Sequence, residues 1–280
     1  MLPAFVIGLR EGLEAALIVG IIGAFLSGAG ARWALRPVAL GVAAAVLLSL
    51  AAGAALKVAD ANLPQRQQEA FETVVALVAV GVITWMIVWM RRHAPTLRET
   101  LQRDAKAALV TGSAAALVGM AFFAVLREGL ETAVFLLAAF SSSIDPWLTG
   151  LGAVLGILVA VALGYGIFRG GVRLDLARFF RITGVVLVFV AAGLLASAAH
   201  TAHEAGWLNV LQGETLDLSS IVAPGTVRGA VLTGMLGLQP QPVVAEVLAW
   251  ALYVAVMLPV VLVPASLVRR VRAARQGVPA

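Results

Sequence analysis

Cysteine is absent from the chain, which excludes disulfides, thiolate metal sites, iron–sulfur clusters and cysteine nucleophiles. Charge is scarce too: Asp, Glu, Lys and Arg together make up 12% of the 280 residues, about half the share of a soluble domain. There is no Gly-x4-Gly-Lys-Ser/Thr loop, no Gly-x-Ser-x-Gly and no His-Glu-x-x-His, so neither ATP use by this chain nor an intramembrane enzyme finds a motif to stand on. Apolar residues are what the chain has instead. They form 61% of it, and mean hydropathy is +0.98. No soluble core could hide so much apolar surface, so lipid must be the solvent.

Seven runs are long enough to span a bilayer as helices: 3–27, 37–58, 70–90, 109–140, 149–168, 179–201 and 243–265. None alternates with the two-residue period of a membrane barrel, so the expected fold is an all-α polytopic membrane protein. The first run lacks a basic leading region and is interrupted by Arg10, Glu11 and Glu14, so it is expected to stay as a helix rather than serve as a signal peptide.

Basic residues alternate from loop to loop. Arg32 and Arg36 follow the first run, and Arg91, Arg92, Arg98, Arg103 and Lys106 follow the third. Arg169, Arg173, Arg178 and Arg181 follow the fifth, and Arg269, Arg270, Arg272 and Arg275 follow the seventh. The other loops hold few. The excess of Lys and Arg on the cytoplasmic side of membranes then puts the N-terminus outside and the C-terminus inside. The net charge of +5 is therefore read as a topology signal rather than a nucleic-acid surface. Trp85 and Trp89 fall at the inner end of the third helix, where an aromatic belt is expected. The longest loop, 202–242, lies outside and is broken by Gly225, Gly229, Gly234, Gly237, Pro224, Pro240 and Pro242, with room for a short helix along the membrane surface.

The chemistry is carried by a repeat. Leu9-Arg10-Glu11-Gly12-Leu13-Glu14 recurs unchanged as Leu126-Arg127-Glu128-Gly129-Leu130-Glu131, and at the same offset Phe5 matches Phe122 and Ala16 matches Ala133. The copies lie in the first and fourth helices. Three helices separate equivalent positions, and an odd number reverses direction, so the reading is a 3+3 inverted repeat plus a seventh helix. One domain spans 1–280, with repeat one over 1–90, repeat two over 109–201, the outer loop over 202–242 and helix seven over 243–265. At 1.5 Å per residue Glu14 lies roughly 16 Å and Glu131 roughly 14 Å from the outer side, near mid-membrane.

Arg10 and Glu14 are four apart and share a helix face; Glu11 and Glu14 are three apart and can reach one ligand. The same holds for Arg127, Glu128 and Glu131. Each such charge costs about 2.5–3.5 kcal/mol facing lipid at a helix centre, so this face must turn toward protein, water or an ion. Gly8, Gly12, Ala16, Gly20 and Ala24 form a ridge of small residues on the first helix, with a shorter one at Ala121, Gly129 and Ala133 on the fourth. The two helices are expected to pack together and bring four glutamates into one place. Four carboxylates with two arginines leave a buried excess of negative charge, which calls for a cation. All-oxygen ligands favour iron, manganese, magnesium or calcium over soft metals. Met86, Met90 and Met120 are read as packing. A pair of buried salt bridges holding the fold is the competing reading, and it leaves one glutamate per motif without a counter-charge.

The paired Arg-Glu-Gly-Leu-Glu resembles the high-affinity iron permease family, the oxidase-dependent iron transporters with their bacterial EfeU-type branch. The likeness runs from Met1 to Pro264. Phe71-Glu72, Thr84-Trp85-Met86 and His203-Glu204-Ala205-Gly206 look like the bacterial branch. The resemblance implies a transporter, not an enzyme. It implies iron import across a plasma or bacterial inner membrane, with iron as transported substrate and no permanently bound cofactor. The family's motif glutamates map onto Glu11, Glu14, Glu128 and Glu131, with Arg10 and Arg127 in support. It also implies separate periplasmic or extracellular redox and iron-binding proteins as partners. Fungal members carry Asp-Ala-Ser-Glu in the last outer loop; the nearest stretch here is Asp217-Leu218-Ser219-Ser220, so ferric handover of the fungal kind is not implied. A permease for lead or manganese, or a membrane metal sensor that does not transport, are the alternatives.

Other acidic and histidine residues gather outside. Glu69 and Glu72 open the third helix, either as charges suited to a helix N-terminus or as an outer cation relay. His200, His203 and Glu204 end the sixth helix, with His203 and Glu204 favoured for metal capture. Glu246 opens the seventh helix as an N-terminal charge. Asp60 is read as a solvated loop residue and His93 as surface.

Overall fold

The computed structural model describes residues 1–93, 99–100, 103, 106–107, 114–143, 145–169, 175–213, 218–219, 222, 226, 229, 232 and 239–263. Seven long helices run through them: α1 Leu2–Gly28, α2 Leu35–Ala61, α3 Gln65–His93, α4 Ala114–Ser141, α5 Pro146–Phe168, α6 Leu176–Glu204 and α7 Val244–Leu262. No strand occurs among the described residues. Five of these helices, α2, α3, α5, α6 and α7, are long and apolar enough to cross a membrane. The other two, α1 and α4, carry the motifs.

Several expectations fall outside the described residues: Arg98, Arg173, Arg269, Arg270, Arg272 and Arg275 of the basic loops, the start of the fourth helix before 114, and the end of the seventh after 263. So do Asp217, Ser220, Pro224, Gly225, Gly234 and Gly237, and with them the surface helix expected in the outer loop.

Exposure is inverted relative to a soluble protein. Leu40, Leu47, Leu50, Phe123 and Leu252 are each about two-thirds exposed or more, while Arg10, Glu11 and Glu128 are 1% exposed. Apolar outside and charged inside is what lipid as solvent demands, and the chain is a multi-pass membrane protein.

Helix ends follow local chemistry. Asp145 accepts hydrogen bonds from the Trp147 and Leu148 amides and Asp175 from that of Arg178, starting α5 and α6. Gly206, at φ +80°, takes the left-handed conformation that ends α6. The third helix begins at Gln65, five residues before the apolar run, because the Pro64 carbonyl takes the amides of Gln67 and Gln68 and the polar residues that follow are good helix formers. Glu69 and Glu72 are therefore its fifth and eighth residues. Asp60 differs from expectation as well: it is not a solvated loop residue but lies in α2 and is fully buried.

The ridge of small residues on α1 meets α5, not α4. A Cβ built on Gly8 would lie 2.6 Å from the Ala153 carbonyl oxygen, one on Gly12 2.9 Å from Ala160 Cβ, and one on Gly164 2.5 Å from Ala16 Cβ. The ridge can bring backbones together because α5 offers its own small series, Gly152, Gly156, Ala160 and Gly164. The α4 ridge meets α2 in the same way, where Gly41, Ala45, Ser49 and Gly53 recur every four residues. A Cβ on Gly129 would strike Ser49, and one on Gly53 would touch Ala133. The contacts come in matched pairs: Gly12 with Ala160 and Gly129 with Ser49; Ala16 with Gly164 and Ala133 with Gly53; Met1 with Gly152 and Val118 with Gly41. Register rises together along each pair, so α1 is parallel to α5 and α2 to α4. Helices α1 and α4 also touch directly, while α3, α6 and α7 pack as a second group against them.

Candidate metal centre

Because the ridges face α5 and α2, the faces of α1 and α4 that carry the charges turn toward one another. Carboxylate oxygens of Glu11, Glu128 and Glu131 lie within 4.8 Å of one another. Two oxygens on opposite sides of a hard divalent cation, at bonds of about 2.0–2.4 Å, are about 4–4.8 Å apart, so this spacing fits one ion. Both oxygens of Glu11, and one each of Glu128 and Glu131, are buried without a hydrogen-bond partner. Buried unpaired carboxylate oxygen is costly, and a cation would satisfy all four atoms together.

Glu14 stands apart from the three. Its Oε1 lies 3.5 Å from Arg10 Nε, and Arg10 Nη1 is 3.9 Å from Glu11 Oε1. Arg10 therefore sits between the two glutamates of its own motif, at ion-pair rather than hydrogen-bond distance from Glu11. In the second motif Arg127 donates to Glu128 Oε1 from Nη2 at 2.6 Å and from Nε at 3.0 Å, and its Nε is 3.6 Å from Glu131. The two arginines differ in setting. Arg10 is buried over the Phe180 ring at 5.8 Å, while Arg127 is 45% exposed over the Trp89 ring at 5.6 Å. Trp89, expected as a belt residue, thus supports the centre. An aromatic at a helix end carries no mark in the sequence that separates the two roles.

A cavity of about 400 Å³ leads to this centre. It lies between α1, α2 and α4, has Glu11 and Glu128 in its wall, and is lined by Lys57 farther along α2. Apart from these, Ser49 and Thr132, its lining is apolar or glycine.

The outer residues form a second cluster with a different membership from that expected. His200 Nδ1 is 2.9 Å from Glu246 Oε1, and its Nε2 is 3.6 Å from Glu204 Oε1. The carboxylates of Glu69 and Glu204 lie close enough to act on each other. Glu246 is buried although its partner histidine is exposed. His203 is turned elsewhere: its Nδ1 meets the Leu208 carbonyl, closing the turn after α6. Glu72 accepts a hydrogen bond from Gln68. Glu69 and Glu204 are thus brought together, and His200 and Glu246 join them across α3, α6 and α7. The sequence shows His200 four residues before Glu204, but Glu246 is joined to them only by the packing of α7.

Residues 1–274 match the model of the Iron permease FTR1 family. The chain belongs to this family. Among the iron permease relatives, the "Ferrous iron permease EfeU" of Escherichia coli O6:K15:H31 (strain 536 / UPEC) is 42% identical over 90% of this chain and 92% of its own length. That of Shigella sonnei (strain Ss046) is similar to the same degree, and that of Yersinia pestis is 41% identical over 90% of each chain. The family and these relatives are permeases, so the protein is a transporter and not an enzyme. No solved structure matches the chain.

Proposed function

We propose that the protein imports iron ions across the bacterial inner membrane, by a path that crosses the bundle at the duplicated Arg-Glu-Gly-Leu-Glu. The observation that carries this reading is the convergence of Glu11, Glu128 and Glu131 in the bundle interior with four unpartnered carboxylate oxygens. Membership of the iron permease family and the ferrous iron permeases among its relatives support iron as the substrate.

The matched contacts of α1 with α5 and of α4 with α2 support an inverted repeat, since one exchange of halves carries each contact onto its counterpart. In this reading the chain is one permease domain of two halves with α7 added, and all seven helices span. The loop charges put the N-terminus outside. Glu69 and Glu204, with His200 and Glu246, then lie at the outer ends of α3, α6 and α7, where they draw cations from the periplasm; Glu72 and His203 flank them.

The ion loses water, binds between α1 and α4, and leaves inward when one group of helices shifts against the other. Arg10 and Arg127 hold the carboxylates in place and lower the cost of the ion-free state. An inside-negative potential of 100 mV favours inward movement by about 4.6 kcal/mol for a divalent ion and about 7 for a trivalent one. Separate periplasmic redox and iron-binding proteins supply the ion.

The test is radiolabelled iron uptake into proteoliposomes, offered as ferrous ion under reductant and separately as ferric chelate. Wild type is compared with Glu11→Gln and Glu131→Gln, each checked for folding. Uptake should be lost in both variants. Unchanged uptake in well-folded variants would mean that the glutamates are structural. Competition by manganese or lead stronger than self-competition by iron would reassign the substrate, and iron binding without uptake would point to a sensor.

A further inference from the structure

The proposed path leaves Asp60 unexplained. It is the penultimate residue of α2, is 0% exposed, and sits where negative charge is disfavoured three times over. The carbonyls at a helix C-terminus carry partial negative charge. Glu72 of α3 is near enough to act on it electrostatically. Its Oδ1 is buried with no hydrogen-bond partner. Its other oxygen, Oδ2, receives the ammonium of Lys57 at 2.7 Å.

Lys57 lines the cavity that leads to the metal centre, and its side chain is 56% exposed. Along α2 it lies about 12 Å from Ser49, the residue packed beside Gly129 and next to Glu128 in the wall. A buried carboxylate with one unsatisfied oxygen, a second carboxylate within electrostatic reach, and a half-exposed lysine that also lines the cavity form a cation site with a built-in occupant. A salt bridge kept for packing alone has no use for the orphan oxygen, which costs free energy wherever it is left unpaired.

We propose that Asp60, with Glu72, is an outer binding site for a divalent cation on the way to the glutamate centre, and that Lys57 fills it when no metal is bound. This rests on the reading that the cavity leads ions to Glu11 and Glu128. A divalent ion brings twice the charge of the ammonium and two carboxylates to receive it, so it displaces Lys57. A monovalent ion brings no more charge than the ammonium already there, so the pair discriminates against sodium and potassium. Once the ion has moved inward, Lys57 returns to Asp60 and opposes its escape. The site belongs to one side of the membrane, because the residue at the corresponding place after α5, 111 positions on, is Gly171.

Equilibrium dialysis of the purified full-length chain with radiolabelled ferrous iron under reductant tests this. The triple variant Glu11→Gln/Glu128→Gln/Glu131→Gln, which removes the centre, is expected to retain ferrous binding. Adding Asp60→Asn should remove one bound ferrous equivalent, and adding Lys57→Gln should tighten that site by at least about tenfold. Lys57→Gln alone leaves a buried charge unpaired; if it is unstable, ferrous iron should raise its unfolding temperature more than that of wild type. The neutral pair Lys57→Gln/Asp60→Asn should fold and show no such response. Loss of all binding in the triple variant, binding indifferent to Asp60→Asn, or weaker binding with Lys57→Gln would each overturn the site. Uptake that survives Glu11→Gln would overturn the reading of the centre instead, and leaves the dialysis result for Asp60 standing.

Discussion

Glu11 and Glu14 are three residues apart on one helix and have different surroundings. Glu11 gathers with Glu128 and Glu131, whereas Glu14, whose Oε1 also lacks a hydrogen-bond partner, stands outside that group and nearer to Arg10. In the proposed mechanism Glu14 is therefore a positioning residue, holding the guanidinium that in turn stands beside Glu11. Loss of a group that orients a metal ligand typically costs ten- to a hundredfold, so Glu14→Gln should reduce iron uptake by about that factor. Glu11→Gln and Glu128→Gln should reduce it further. Initial uptake rates in proteoliposomes check the order, and a Glu14 variant worse than a Glu11 variant would reverse the assignment. The two arginines also divide. Arg10 is buried among Glu11, Glu14 and Phe180, so Arg10→Gln strands buried carboxylates and should destabilise the fold by about 3–5 kcal/mol. Arg127 is nearly half exposed, and Arg127→Gln should cost less. Thermal unfolding of the two variants in detergent makes the comparison. The sequence names these residues, because charge in an apolar helix is conspicuous, but two identical motifs give no sign that one arginine is buried and the other not.

At the scale of helices, small residues decide what touches what. Gly156 has the Phe5 carbonyl oxygen 2.2 Å and the Leu9 amide 2.7 Å from where a Cβ would stand. Backbone cannot give way as a side-chain tip can, so Gly156→Ala must push α5 from α1. A loss of about 1–3 kcal/mol is expected from such overpacking, visible as a lower unfolding temperature in detergent. Gly28→Ala has open space and should be close to neutral. The ridge on α1 was legible as a packing surface from its four-residue spacing, but spacing has no address. The series on α5 and α2 shows the same spacing, and only their placement shows that the ridges pair α1 with α5 and α4 with α2. The start of α3 was misplaced for a related reason. Hydropathy measures how much chain can lie in lipid, whereas the Pro64 carbonyl and the polar turn after it determine where helical hydrogen bonding begins. Arg91, counted as a loop charge, in fact lies within α3 and donates to the Val260 carbonyl near the end of α7, next to Pro259.

For the molecule as a whole, the absence of cysteine allows a direct test of the proposed orientation. Single cysteines can be placed at Gln67, in the first turn of α3, and at Arg36, at the start of α2; both side chains are exposed. In intact cells whose outer membrane has been made permeable, a maleimide that cannot cross the inner membrane should label Gln67→Cys and spare Arg36→Cys until that membrane is opened. The opposite pattern would invert the topology and put the outer cluster in the cytoplasm.

Composition alone determined that lipid surrounds this protein, because 61% apolar residues cannot be buried in a soluble fold of this length. The exact repeat of Leu-Arg-Glu-Gly-Leu-Glu named its family and the side chains to watch, since six identical residues, three of them charged, do not recur by chance in a charge-poor chain. Tertiary structure alone decided that Glu11 joins Glu128 and Glu131 while Glu14 does not, that His200 meets Glu246, and that Asp60 is buried beside Lys57. These are contacts between helices far apart in the chain. A helix fixes which residues share its own face, but rotation about its axis and its shift along a neighbour are set by packing, and no local pattern records them.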